Sequence, residues 1–119
     1  MKCCKRFISG KQHAPTAKAL MQSRYSAYVK QQREYLINTM AGRVAEEMGH
    51  TLDFDPTVQW MGLKIHEVID GQVDDDVGEV RFSAYFKHKN VPNKQKQALN
   101  EHSVFHKIDG RWLYVDRKS

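Results

Sequence analysis

The sequence has little cysteine, little proline, no long apolar run and, over its first third, no acid at all. Of 119 residues only two are cysteine, adjacent at Cys3-Cys4, and three are proline. Adjacent thiols make no disulfide framework, so a reducing, cytoplasmic setting is expected. No stretch approaches the roughly 18 apolar residues of a membrane span, and no membrane association is expected. Met1-Lys2-Cys3-Cys4-Lys5-Arg6 has no apolar segment behind it and does not read as a secretory signal. Common catalytic signatures are missing too: there is no Gly-rich phosphate loop, no nucleophile elbow, and no base that can be placed beside either cysteine.

The missing acid is the most informative absence. Residues 1–33 carry eight Lys or Arg and no Asp or Glu, whereas the remainder holds 11 basic against 14 acidic groups. The net charge of +5 therefore belongs to the N-terminal third. Two readings follow: an arm that approaches a polyanion such as RNA or the ribosome, or an ordinary solvated helix face with a basic tail. Aromatic stacking partners are sparse there apart from Phe7, which favours the second.

What is present is enough for one domain. A 40% hydrophobic and 28% charged chain of this length can bury roughly two-thirds of its unfolded surface. From Pro15 to about Gln32, Ala17, Leu20, Met21, Ala27 and Tyr28 recur at helical spacing, with Pro15 suited to a first helical position. Glu34 to Met40 reads as a second short helix, and Arg43 to Met48 as a third, with Gly49 placed for a left-handed cap. The period then changes. Strands are expected over Val58–Ile69, Glu79–His88, Gln97–Ile108 and Arg111–Asp116, with Asp109-Gly110 as a two-residue hairpin turn. On the second strand Val80, Phe82, Ala84 and Phe86 share one face. Residues 1–14 read as a basic tail and 15–119 as the domain, of class α+β: helices packed on a curved, four-stranded or slightly larger antiparallel sheet.

Four stretches in order carry a family likeness. Leu20-Met21-Gln22-Ser23-Arg24-Tyr25-Ser26-Ala27-Tyr28 with Tyr35-Leu36-Ile37-Asn38-Thr39, then Trp60-Met61-Gly62-Leu63-Lys64-Ile65, then Glu101-His102-Ser103-Val104-Phe105, then Asp109 to Asp116 resemble the YchJ family. That resemblance implies a nuclear transport factor 2-like, cystatin-like cone with a pocket between helices and sheet, and it implies no particular activity. Two departures matter. Members begin with a zinc-binding segment like the one closing the translocation motor SecA, a Cys-x-Cys pair and then Cys-Cys or Cys-His. Here only Cys3-Cys4 matches, and two adjacent thiolates cannot supply four zinc ligands. Either the coding sequence begins upstream of Met1, or residues 1–14 are a remnant of that segment. Relatives also carry His-Pro after the second helix, where this chain has Met40-Ala41-Gly42, so no role for that histidine transfers.

No other constellation suggests a metal or cofactor. His102 and His106 would lie about 13 Å apart on a strand, too far for one ion. Asp74-Asp75-Asp76 lacks the ligand pattern of a calcium loop and reads as a turn. Arg24 is different. At about 100° per residue it falls in the middle of the apolar stripe of the first helix, between Leu20 and Tyr28. A guanidinium inside a core must be paired, and alternation puts Glu101 on the inward face of the third strand with Leu99, Ser103 and Phe105. An Arg24–Glu101 ion pair is therefore expected. The candidate ligand-binding residues are Arg24, Tyr28, Trp60, Glu101, Ser103 and Trp112. The leading expectation is a non-catalytic accessory or binding domain, with a protein or ribosomal partner engaged through the basic third and a homodimer left open. The alternative is a small-molecule isomerase, lyase or hydrolase using an acid–base residue in the pocket.

Overall fold

The structure is a computed structural model that describes residues 7–8, 12–48, 54, 56–89 and 96–118. Three helices, α1 (Ala17–Val29), α2 (Arg33–Asn38) and α3 (Gly42–Met48), precede four strands, β1 (Val58–Asp70), β2 (Val77–His88), β3 (Gln97–Ile108) and β4 (Arg111–Lys118). The strands form an antiparallel meander in the order β1-β2-β3-β4. This is the α+β architecture the sequence implies. The proposed cap at Gly49 lies outside the described residues.

Both ends of α1 differ from the expectation, for local reasons. Thr16, not Pro15, sets the start: its backbone is extended and its hydroxyl accepts from the Ala19 N–H at 3.1 Å, an N-cap. The helix stops at Val29 because Gln31 turns left-handed, with φ 56°. Gln31 N–H then donates to Tyr28 O at 3.2 Å and Gln32 N–H to Ala27 O at 2.8 Å, the paired bonds of a Schellman motif.

A close crossing pins α1 to the sheet. The Ala17 N–H donates to Gly71 O at 2.9 Å, and a Cβ on Gly71 would stand 2.7 Å from Ala17 Cβ. Only glycines permit this approach of helix to the β1–β2 turn. The chain then passes from α2 to α3 alongside β4. Tyr114 N–H donates to Thr39 O at 2.8 Å and Ala41 N–H to Tyr114 O at 2.9 Å, so the loop prolongs the sheet by one parallel bridge at Met40. Leu20, Leu36, Val44, Val80 and Phe105 form the fully buried centre between the layers.

Register breaks shape the sheet. They fall between Trp60 and Gly62, between Ile65 and Glu67, and opposite Val104/Phe105 on β4, where Val115 is the extra residue. Each bulge bends its strand and resets which residues face the helices. The outer face is polar and cross-linked between strands. Arg81 meets Glu67 at 3.2 Å, and Glu79 takes both His102 at 2.5 Å and Lys118 at 3.0 Å. Ser83, which is buried there, bonds His66 Nε2 at 2.6 Å and also Asn100 Oδ1.

Candidate functional site

A cavity of about 210 Å³ lies between α1 and the inner face of the sheet. Met21, Tyr25, Tyr28, Trp60, Phe82 and Phe105 make most of its wall apolar. Helical spacing on α1 and period-two alternation on the strands turn these side chains toward one another. Tyr25 meets Trp60 edge to face at 6.0 Å, while Tyr28 and Phe86 stand tilted to it at 6.2 and 5.6 Å.

Polar groups gather at the opposite end. Arg24 is buried on α1, as the helical arithmetic requires, but the expected ion pair with Glu101 is not formed. Arg24 Nη1 instead donates to Leu36 O at 2.8 Å and to Thr39 Oγ1 at 2.6 Å. The Leu36 carbonyl is available because α2 ends two residues later, and the last carbonyls of a helix lack intrahelical donors. The guanidinium carbon lies 4.9 Å from the centre of the Tyr114 ring, a cation–π contact. Burial pulls the Arg24 guanidinium below its usual pKa, opposed by the phenols of Tyr28, Tyr114 and Tyr35 and by Glu101.

Tyr114 is what separates the expected partners. Its ring faces Arg24 while its hydroxyl donates to Glu101 Oε2 at 2.9 Å. Ser103 donates to the same oxygen at 2.5 Å. Both neighbours thus use Oε2, and Glu101 Oε1 has no hydrogen-bond partner among the described residues. Burial raises the Tyr114 phenol well above its ordinary value, helped by the charge and hydrogen bond of Glu101. The Tyr28 phenol is also raised by burial, with Arg24 opposing.

Five of the six candidates, Arg24, Tyr28, Trp60, Glu101 and Ser103, line this one cavity. Trp112 does not. It lies two residues before Tyr114 on β4, about 7 Å along the strand, and its indole N–H donates to Pro15 O at 3.1 Å. There it borders a separate hollow of about 350 Å³ with Phe7, Leu20 and Arg111. The six candidates did not include Tyr25, Tyr114 and Arg117, which also line the cavity. Alternation on β4 from Trp112 was enough to find Tyr114. Arg117 gave no signal, because the strand was expected to end at Asp116. Leu99, Glu101 and Arg117 also border an outer groove lined by Arg43, Glu47 and Lys118, so they stand where the cavity meets the surface.

The comparisons with known proteins agree with the fold. The model of the family described as "YchJ, middle NTF2-like domain" matches residues 16–117. This chain belongs to the YchJ family. A UPF0225 protein of Streptomyces coelicolor is 39% identical over 97% of this chain and 84% of its own length. Another, from Actinobacillus succinogenes, is 39% identical over 96% of this chain and 72% of its own. Among solved structures, a SEC-C motif containing protein from Rhodopseudomonas palustris superposes with a TM-score of 0.78 at 24% identity, covering 99% of this chain and 89% of that one, which speaks to the fold alone. A SEC-C motif containing protein from Psychrobacter arcticus gives 0.71 at 27% identity, covering 97% and 69%. No helix of this YchJ-family domain, among the described residues, is long and apolar enough to cross a membrane. Its two cysteines lie outside those residues, and no cluster of three or more metal-ligating side chains occurs within them.

Proposed function

We propose that this domain is a non-catalytic binding module that holds a small molecule between α1 and the sheet. The observation supporting this reading is a largely apolar cavity with a few convergent polar groups, the usual build of a ligand site. The domain acts as an accessory unit in the cytoplasm, with the basic N-terminal third turned to a protein or ribosomal partner.

The test fills the cavity. Ala84, 3% exposed, borders it, and Ala84→Leu adds three carbons there. Compounds from a metabolite library that raise the melting temperature of the wild type should have no effect on Ala84→Leu. Saturation at a hundred times Kd contributes about 2.7 kcal/mol, a readily measured shift. If no compound stabilises the wild type and the filled variant is the more stable protein, the cavity is a packing defect and the reading fails.

One observation favours a second reading, a small-molecule isomerase, lyase or hydrolase. Glu101 has an uncommitted oxygen in the cavity mouth and a tyrosine donor beside it, the parts of an acid–base couple. Under that reading Glu101→Gln abolishes turnover of a compound it still binds; under the first it changes affinity alone.

A further inference from the structure

Arg24 is a buried cation with no anion in contact among the described residues. Its exposure is 6%, and its hydrogen-bond acceptors are a carbonyl and a hydroxyl. Glu101 acts on it only at longer range, with Tyr114 between them. A buried charge is costly unless a counter-charge or a full set of acceptors meets it. Both described hydrogen bonds use Nη1. No fully buried side-chain nitrogen or oxygen among the described residues lacks a partner, and the Tyr28 hydroxyl also stands beside this guanidinium, so a ligand in the cavity meets the Nε and Nη2 edge of Arg24 together with Tyr28. Arg117 also lines the cavity, where it meets the surface, with its guanidinium 4.0 Å from Glu47.

We propose that the cavity selects a small monocarboxylate, its oxygens on the Nε and Nη2 edge of Arg24 and its body against Tyr28 and Trp60. A planar carboxylate matches the fork of a guanidinium, and charge-assisted hydrogen bonds are about twice as strong as neutral ones. The volume limits the body. An apolar cavity of about 150 Å³ holds benzene, so 210 Å³ admits one ring or a short branched chain with its carboxylate. Glu101 Oε1 faces the same ligand as an acceptor and disfavours a second negative charge. This assignment rests on the reading of the cavity as a small-molecule site and names what that site takes.

The experiment titrates the full chain with benzoate, cyclohexanecarboxylate and 4-methylpentanoate, followed by tryptophan fluorescence and by calorimetry. Benzyl alcohol, benzylamine and phenyl phosphate are the contrasts. The carboxylates should saturate and bind at least about tenfold tighter than each contrast. Arg24→Met, checked for folding by its melting temperature, should lose that preference while still binding benzyl alcohol. If Arg24→Met does not fold, Arg117→Gln and the wild-type series decide, since the order of the probes is itself the claim. Equal binding of benzoate and benzyl alcohol overturns the charge assignment and leaves a binding module standing. Tighter binding of phenyl phosphate overturns the monocarboxylate in favour of a dianion. Saturation by no probe at millimolar concentration overturns the monocarboxylate assignment, while the Ala84→Leu comparison decides the module separately.

Discussion

The two faces of the same four strands handle charge in opposite ways. On the outer face, charged groups of different strands reach one another across the sheet and pair. Glu67 meets Arg81, and Glu79 meets both His102 and Lys118. On the inner face Arg24 reaches a carbonyl and a hydroxyl, and Glu101 is approached by a serine and a tyrosine. Antiparallel register places outer partners within reach of each other, whereas inner partners come from a helix and a sheet whose spacing is set by packing. On the outer face these charges meet opposite charges. The inner face keeps a cation and a carboxylate whose remaining valences open on a cavity.

That contrast can be broken most severely at Arg24. Arg24→Ala removes the donor to Leu36 O and Thr39 Oγ1 and the cation over Tyr114, and it leaves buried acceptors unmet. A loss of about 3 kcal/mol is expected from urea denaturation, since hydrogen bonds to charged groups contribute about 1.5–3 kcal/mol each. Because the partner is not Glu101, adding Glu101→Leu should not restore the loss. Recovery in that double variant would mean the two residues are coupled as a pair after all.

Tyr114→Phe is the next largest test and sharpens the comparison through pH. The Tyr114 phenol has a folded pKa raised above its unfolded value. The stability it contributes is therefore complete below about pH 10, the ordinary tyrosine value, and is lost as pH rises toward the folded value. Wild type should lose urea resistance steadily above pH 10, and Tyr114→Phe should lose less of it over that range. At neutral pH the variant should be weaker by about 1 kcal/mol, the contribution of one hydrogen bond. An alkaline limb unchanged in Tyr114→Phe would show that another group governs it.

The smallest effect belongs to the outer face. Hydrogen bonding by Lys118, then by His102, holds the Glu79 carboxyl below its usual pKa despite partial burial. Its contribution is present above about pH 4.3, the unfolded value, and disappears as pH falls through the folded one. Glu79→Gln should cost less than about 1 kcal/mol at pH 7, and the difference should shrink in high salt and vanish in acid. A larger, salt-independent loss would mean that the outer network is as buried as the inner one.

Much of the frame was legible because it follows from short-range pattern. β3 runs from Gln97 to Ile108 as the alternation predicts, and Asp109 and Gly110 take the left-handed φ values of 52° and 79° that a two-residue hairpin turn needs. Arg24 was legible as a buried residue, since 3.6-residue periodicity alone fixes which side of α1 it shares with Leu20 and Tyr28. Its partner was not. Alternation gives the face of Glu101 but says nothing of its distance from α1, and Tyr114 fills that distance. Ser83 shows the same limit on the outer face, where a register break at His66 brings a histidine over a serine that alternation leaves exposed.

By itself the sequence determined the class, the order of elements, the hairpin turn and the family, because these depend on periods of two and 3.6 and on residues within a few positions. Only the tertiary structure decided where α1 begins and ends, that Trp112 leaves the cavity while Tyr114 enters it, and that Arg24 meets a carbonyl and a hydroxyl rather than Glu101. Those outcomes depend on how far a helix stands from a sheet bent by bulges, and that distance is set jointly by every side chain packed between them.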